Sequence, residues 1–146
     1  VFGTGKNLPK IAVAHGIPYV ATASVADLHD LERKVMKAIG IRGARYIHIH
    51  VPCPLGWGAA SHDTIRLARL AVESGLFPVF EAEHGVVTNS RKIRRPVPVT
   101  EYLKPQRRFA HLFKDAAGSQ RLAKLQAIAD SNIVEFKLLE SEEEAG

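Results

Sequence analysis

The residues best placed to do chemistry surround the single cysteine of this 146-residue chain, Cys53. It lies in the stretch YIHIHVPCPLGWG (46–58), where apolar and polar side chains alternate over 46–51 and predict a β-strand that the following proline must end. The flanking prolines stiffen the backbone of Cys53, and two glycines let the chain turn closely behind it. Functional groups collect beyond the carboxyl ends of strands in open α/β sheets, so the position of this thiol indicates a functional role. A small buried hydrophobe is the alternative interpretation.

Two histidines of the same predicted strand offer a second kind of chemistry. Strand alternation places His48 and His50 on one face, where they could bind a metal ion together, as in a zinc-dependent hydrolase. No third ligand stands at a recognisable spacing, and alternation on a half-exposed strand explains the same residues. No Ser/His/Asp or Cys/His order matches a known nucleophilic enzyme.

A basic segment, 91–108, could contact phosphate groups. A nucleic-acid-binding or non-enzymatic interaction module is therefore an alternative function. The net charge of +5 is modest, and only Tyr102 and Phe109 offer stacking rings nearby. A solvated connector, or one that docks on another protein, explains the same charges. We expect no nucleic-acid partner, and we expect 91–112 to lie along a neighbouring subunit or a missing half of the domain, with its apolar residues against that surface.

Composition limits the class of protein. Apolar residues make up 46% of the chain, yet no apolar run approaches the length of a membrane span, so we expect no membrane partner. One cysteine forms no internal disulfide, which fits a cytoplasmic protein. The chain begins with Val1 and not with methionine, and we expect a partial polypeptide.

The hydrophobic pattern predicts helices that alternate with strands before residue 90. The helices are predicted over 8–15, 25–40 and 64–74, and the strands over 17–23, 46–51, 78–83 and 86–88. The last two strands flank His84 and Gly85, which predict a hairpin turn. Ser24 is the predicted N-cap of the second helix. Its apolar face is formed by Val25, Leu28, Leu31, Val35, Met36 and Ile39.

The composition changes after residue 89. We predict an extended connector, a short helix over 105–113, a break at Gly118 and an amphipathic helix over 120–129. The segment 133–139 fits either a strand or a helix. The glycine-containing lead-in 1–6 and the acidic stretch 142–144 are predicted to be a loop and a solvated tail.

The order strand, helix, strand, helix, strand predicts a parallel α/β sheet with crossover helices. This series begins in the middle of such a fold. Two crossover units make a poor free-standing sheet, because a parallel sheet needs both of its faces covered.

Four blocks of the chain resemble a known family. They are GIPYVATAS (16–24), YIHIHVPCPLGWG (46–58), TIRLARLAVESGLFPVFEAEHG (64–85) and VPVTEYLKPQRRFAHL (97–112). In this order they resemble the thiamine-diphosphate-binding β subunit of the 2-oxoacid:ferredoxin oxidoreductases, of which pyruvate:ferredoxin oxidoreductase is the best-known member. The resemblance implies the C-terminal half of a doubly wound α/β domain that binds thiamine diphosphate, over 1–90, followed by a basic connector and helical tail over 91–146.

The resemblance also assigns a role to the cysteine. Cys53 matches the last cysteine of the family, which completes a [4Fe-4S] site. The family's upstream G-D-G-x motif for diphosphate and Mg²⁺, and its other cysteines, have no match here. The chain alone is therefore expected to bind no thiamine diphosphate and to supply one ligand of a cluster, with no catalytic residue of its own.

The implied reaction is the oxidative decarboxylation of a 2-oxoacid such as pyruvate, usually to an acyl-coenzyme A, with electrons passed through the cluster to ferredoxin. The expected partners are the remaining half of the β subunit, the other oxidoreductase subunits and ferredoxin. Which 2-oxoacid is used stays open at this point.

Overall fold

The computed structural model describes residues 5–139, which form an α/β structure. Its elements are α1 (Leu8–Ala14), β1 (Tyr19–Ser24), α2 (Leu28–Gly40), β2 (Arg45–His50), α3 (Pro54–Trp57), α4 (Thr64–Glu73), β3 (Phe80–Glu83), β4 (Val86–Ser90), α5 (Val99–Leu103) and α6 (Ala116–Glu135). Two 3₁₀ turns cover Ser61–Asp63 and Arg107–Phe113. The predicted α/β class is confirmed. None of the helices in this part of the chain is long and apolar enough to cross a membrane.

The four strands form one sheet in the order β2-β1-β3-β4. Strands β1 and β2 are parallel, with Tyr19 opposite Arg45, as the crossover pattern predicts. Strand β3, however, runs antiparallel to β1, and β4 antiparallel to β3, so the prediction of a parallel sheet is wrong for this half. The alternation of helices and strands does not say at which edge of the sheet a connection ends. Here the long connection through α3 and α4 ends near the carboxyl end of β1. Strand β3 therefore starts there and runs back antiparallel to β1.

The β3–β4 turn confirms the predicted hairpin. His84 and Gly85 both have positive φ, 49° and 87°, as a two-residue hairpin turn with right-handed strand twist requires. The strands also contain an irregularity between Glu81 and Ala82, where the pairing register shifts.

Helix α2 begins later than predicted and faces the other way. Asp27, not Ser24, is its N-cap, and the Asp27 carboxylate accepts a hydrogen bond from the Asp30 N–H at 3.0 Å. Ser24 is the last residue of β1. The predicted apolar face is largely open to solvent in this chain, with exposed fractions of 67% at Leu28, 63% at Met36 and 66% at Ile39. The buried side of the helix carries Lys34 and Ala38 instead, together with neighbouring charged side chains.

The reversed orientation of α2 follows from a buried carboxylate on the sheet. The Glu81 side chain is 1% exposed and lies beneath α2, where it accepts bonds from Arg33 at 2.5 Å and Lys37 at 2.9 Å. The Tyr19 hydroxyl donates a third bond at 3.1 Å. Burial by itself would raise the pKa of Glu81, but these three donors outweigh it and hold that pKa at about 2. The charged face of α2 therefore turns toward the sheet.

Lys34 is the second buried charge of this layer. Its ammonium donates to the Thr22 carbonyl at 2.8 Å and to the Asp30 carboxylate at 2.6 Å. Burial lowers the pKa of Lys34, and the Asp30 carboxylate opposes that effect. Both hydrogen bonds tie α2 to β1.

Helix α4 is buried as predicted, and it joins the C-terminal helices in one apolar core. The buried members of this core are Leu67, Leu70, Ala71, Val99, Tyr102, Leu103, Leu112 and Ala129, with Val97 and Phe109 packed against them. The expectation that these apolar residues pack on a neighbouring subunit or on a missing half is therefore wrong. They are covered by α4 and α6 of the same chain, because α5 folds back onto α4. The division of the chain at residue 90 stays a prediction.

A second core lies between the sheet, α1 and the residues that follow α6. The rings of Phe80 and Phe136 stack with centroids 4.5 Å apart, and Ile93 and Leu138 are buried beside them. The Ile93 N–H donates to the Leu138 carbonyl at 2.7 Å. This hydrogen bond joins the connector to the segment that follows α6.

The C-terminal prediction needs two corrections. The predicted helix 105–113 is a 3₁₀ element, Arg107–Phe113, and the α-helix of this region, α5, lies before it at Val99–Leu103. Helix α6 runs unbroken from Ala116 to Glu135 through the predicted break at Gly118. The ambiguous segment 133–139 is helical to Glu135 and then leaves the helix. Residues 1–4 of the lead-in and the acidic stretch 142–144 lie outside the described residues.

Gly118 is required by packing and not by chain reversal. Its N–H donates to the Asp115 N-cap carboxylate at 2.7 Å, as in a well-formed helix start. A β-carbon added at Gly118 would overlap the backbone carbonyl of Leu112, which is buried. The glycine therefore lets α6 approach the preceding 3₁₀ turn.

We expect Gly118→Ala to lower the free energy of unfolding by about 1–3 kcal/mol, because the new methyl group meets rigid backbone. Gly40→Ala is the matched control, since Gly40 is also helical and a β-carbon there meets no atom within 4 Å. That control should be neutral or slightly stabilising. The measurement is denaturant-induced unfolding followed by circular dichroism. Equal stabilities of the two variants would contradict the packing role of Gly118.

Candidate functional site

Cys53 lies immediately beyond the carboxyl end of β2 and begins the short helix α3. Its backbone is extended, with φ −110° and ψ 90°, as the flanking prolines predict. Its carbonyl accepts the Trp57 N–H at 2.9 Å, and Gly58 closes the turn in the left-handed conformation with φ 64°. The residue is exposed, so the alternative of a small buried hydrophobe is wrong for this chain. The predicted extended loop is a single helical turn after the cysteine.

The segment that follows α5 packs directly against this turn. The Arg107 N–H donates to the Gly58 carbonyl at 3.4 Å, and a β-carbon on Gly58 would lie 2.8 Å from that of Arg107. Glycine is thus needed both for the positive φ and for the close approach. The next residue, Arg108, is consequently held beside the cysteine turn.

Arg108 is the fixed cation of the site. Its guanidinium carbon lies 3.8 Å from the centroid of the Trp57 ring, and its Nε donates to the buried side chain of Gln106 at 2.9 Å. Burial lowers the pKa of Arg108, while its attraction to Tyr102 and to Cys53 opposes that effect. A cation stacked on an aromatic face and bound to a buried amide has little freedom to move. The positive charge of Arg108 is thus held near Cys53 by Trp57 and Gln106.

His48 and His50 share one strand face, as predicted, but each ring is engaged by a tyrosine. Nδ1 of His48 lies 3.0 Å from the Tyr46 hydroxyl, and Nε2 of His50 lies 3.4 Å from the Tyr102 hydroxyl. Across the described range 5–139, no group of three or more His, Cys, Asp and Glu side chains could hold a metal ion. The arrangement does not favour a zinc-dependent hydrolase.

His50 is the most perturbed histidine of the site. Its ring lies 5.0 Å from that of Phe77 and 6.0 Å from that of Trp57, and its Nδ1 is buried without a hydrogen-bond partner. Burial lowers its pKa to about 4, and the charges of Arg108 and His48 add to the effect. His50 is therefore neutral at pH 7 and shields one side of the site as an aromatic group.

The basic segment 91–108 separates into two groups of charges. Arg108 belongs to the cysteine turn, whereas Arg91 pairs with Asp27 at 2.5 Å on the other side of β1. Lys92 donates to the carbonyls of Lys137 and Leu139 at 3.1 and 3.3 Å. The interpretation of this segment as a solvated connector is thus only partly right, because several of its cations have defined partners within the chain.

The donor set decides what the site can hold. A [4Fe-4S] cluster is bound by four thiolates, and the described residues provide one exposed thiol and no second sulfur at this edge. Cys53 fits the role of a single ligand, and it does not form a complete cluster site. Sequence reasoning missed Arg108 as a neighbour of Cys53, and Gln106 and Tyr102 as the partners of Arg108, because no local pattern links residues some fifty positions apart.

We expect His50 to make the stability of the chain depend on pH. The unfolded chain binds a proton near the ordinary pKa of about 6.5, whereas folded His50 binds one only near 4. The contribution of His50 to the free energy of unfolding is thus fully present above pH 6.5. It is lost as the pH drops toward 4, and the loss is on the order of 2 kcal/mol. His50→Phe should flatten this dependence. The measurement is denaturant unfolding at pH 7.0 and 4.5, followed by the fluorescence of Trp57, the only tryptophan. His29→Phe, at an exposed position of α2, is the matched control and should keep the wild-type dependence.

Comparison with known proteins identifies the relatives of this chain. No protein-family model matches it. It is 50% identical over 133 residues to the pyruvate synthase subunit PorB of Methanosarcina barkeri, which covers 91% of this chain and 45% of that subunit. The PorB subunit of Methanothermobacter marburgensis is 45% identical over 136 residues, with 91% and 44% covered.

A second named activity occurs among the relatives. The ketoisovalerate oxidoreductase subunit VorB of Pyrococcus abyssi is 44% identical over 112 residues, which covers 75% of this chain and 36% of that subunit. The chain therefore spans less than half the length of these curated relatives. The resemblance predicted from the four sequence blocks is confirmed: this chain is a homologue of the PorB and VorB subunits of the 2-oxoacid:ferredoxin oxidoreductases.

Proposed function

We propose that this chain is part of a 2-oxoacid:ferredoxin oxidoreductase that oxidatively decarboxylates a 2-oxoacid, such as pyruvate, to an acyl-coenzyme A. The observation that carries the proposal is its 50% identity to a PorB subunit over 91% of the chain. Relatives named for pyruvate and for ketoisovalerate are similarly close, so a short and a branched 2-oxoacid are both candidate substrates.

Within that enzyme, we assign Cys53 as one ligand of a [4Fe-4S] cluster, the other three ligands lying outside the described residues. Three features of the chain support this role: the thiol is exposed, it follows the carboxyl end of β2, and its backbone is held by flanking prolines and a helical turn. A ligand on a stiff loop loses little conformational entropy when a metal site assembles. The bound cluster would supply one-electron transfer toward ferredoxin.

The residues around Cys53 suit such a ligand. The positive charge of Arg108 offsets part of the negative charge that thiolates bring to a metal centre. Trp57 and neutral His50 form an apolar wall beside it, and a less hydrated surrounding strengthens electrostatic interactions at the site. The part of this chain is therefore to hold the sulfur and to place a cation and aromatic rings near it.

We further propose that residues 1–90 form the C-terminal part of a doubly wound domain that binds thiamine diphosphate, with 91–146 as its connector and helical tail. Thiamine diphosphate and Mg²⁺ would be held mainly by the remaining half of the subunit. The apolar face of α2, with Leu28, Met36 and Ile39 exposed, is a surface that this half could cover. Other oxidoreductase subunits, ferredoxin and coenzyme A complete the proposed partners, in the cytoplasm.

The ligand role of Cys53 is tested by Cys53→Ser in the assembled oxidoreductase. We expect less iron and acid-labile sulfide per complex, a changed low-temperature electron spin resonance spectrum of the reduced enzyme, and slower electron transfer to ferredoxin. The circular dichroism spectrum should stay the same, since the side chain is exposed.

Leu55→Ser is the matched control for this experiment. Leu55 lies in the same helical turn, is 94% exposed and has no metal-binding atom. This variant should keep the wild-type iron content and spectrum. Full iron content with an unchanged spectrum in Cys53→Ser would show that Cys53 is not a ligand.

A further inference from the structure

A basic cleft lies at the same edge of the sheet as Cys53. Its volume is about 670 Å³, which is the size of a site for a nucleotide-sized molecule. It opens at Ala26, just beyond the carboxyl end of β1, and the adjoining Val25 N–H donates to the His50 carbonyl at 3.2 Å. The carboxyl ends of β1 and β2 thus place the cleft and the cysteine turn side by side. This edge is where open α/β sheets bind their ligands.

Five cationic side chains and one carboxylate line the cleft. The cations are Arg69 of α4 and Arg91, Lys92, Arg94 and Arg95 of the connector, and the carboxylate is that of Glu73. Gathering like charges around one concave surface costs free energy, which an anion bound between them would offset.

Three of these cations have no partner of opposite charge among residues 5–139. Arg91 pairs with Asp27, and Lys92 is hydrogen-bonded to backbone carbonyls. Within the described part of the chain, Arg69, Arg94 and Arg95 form no ion pair or side-chain hydrogen bond. Their guanidinium groups present paired N–H donors, which match the oxygens of phosphate groups.

The backbone that carries the cations is held in place. The Arg91 N–H donates to the Val79 carbonyl at 2.8 Å, the Ile93 N–H to the Leu138 carbonyl at 2.7 Å, and the Val97 N–H to the Glu73 carbonyl at 3.2 Å. Ile93 is buried, so the connector is fixed from below while its arginines remain exposed. A connector whose backbone is already held loses less entropy on binding than a flexible one.

We propose that this cleft binds a phosphorylated nucleotide and, in the reaction proposed above, the nucleotide end of coenzyme A. This assignment rests on the proposed function only for the identity of coenzyme A. The charge of the cleft favours an anion with several negative charges, and Val72 and Ile93 line it beside the cations. Its concave shape fits a small molecule better than the convex surface of an acidic protein.

The test uses the assembled oxidoreductase with the double variant Arg94→Gln/Arg95→Gln, and Arg69→Gln as an independent variant on a different element. Binding of adenosine 3′,5′-bisphosphate is measured by calorimetry, and the KM values for coenzyme A, the 2-oxoacid and ferredoxin are measured separately. We expect the Kd of the probe and the KM for coenzyme A to rise about tenfold or more. The KM for the 2-oxoacid and the iron content should not change.

Arg66→Gln is the matched control, because it removes the same charge from α4 outside the cleft, where Arg66 faces Asp63 at 3.4 Å. It should bind the probe like the wild type. A wild-type enzyme that does not bind the probe, or variants that bind it unchanged, would overturn the proposal. A rise in the KM for ferredoxin alone would also overturn it and assign the cleft to an acidic protein. Weaker probe binding with an unchanged KM for coenzyme A would support a nucleotide site and reject coenzyme A as its ligand. Iron content tests the cluster role separately, so the two proposals can fail independently.

Discussion

The orientation of α2 depends on one buried carboxylate, that of Glu81. Removing a charge from water costs several kcal/mol unless donors replace the lost hydration, and here Arg33, Lys37 and Tyr19 do so. Because two of these donors come from α2, the charged face of the helix must lie against the sheet. Its apolar face is then left outside. An ordinary amphipathic rule gives the opposite arrangement, since it considers the helix without the carboxylate beneath it.

The outward apolar face agrees with the length of the chain relative to its homologues. Leu28, Met36 and Ile39 form a surface that isolated soluble proteins seldom leave uncovered. In the described sheet, β2 pairs only with β1, so one of its edges is also free for another strand. Both features suit a chain that matches less than half of each curated relative. Completion of the sheet by the rest of a subunit is part of the proposed function.

The cysteine turn and the basic cleft both depend on the segment after residue 90. At the cysteine turn, the absence of a side chain on Gly58 lets Arg107 pack against it, and Arg108 then stacks on Trp57. At the basic cleft, the hydrogen-bonded backbone around Ile93 places arginines beyond the carboxyl end of β1. The same run of basic residues thus serves two places on one edge of the sheet. Its apolar residues meanwhile fill the core beneath α4, which fixes both groups of charges relative to the strands.

The sequence alone determined α1, α2, α4 and the four strands, the hairpin at His84, the position of Cys53 and the family, because these follow from periodicity, turn residues and local motifs. Tertiary structure decided the antiparallel β3, the inward charges of α2, the need for Gly118 in a helix and the meeting of Arg108 with Cys53. Hydrogen bonds within a helix or turn join near neighbours, so a local pattern can predict them. Which charges are desolvated together, and which backbones touch, depends on segments that are distant in the chain and meet only in the folded structure.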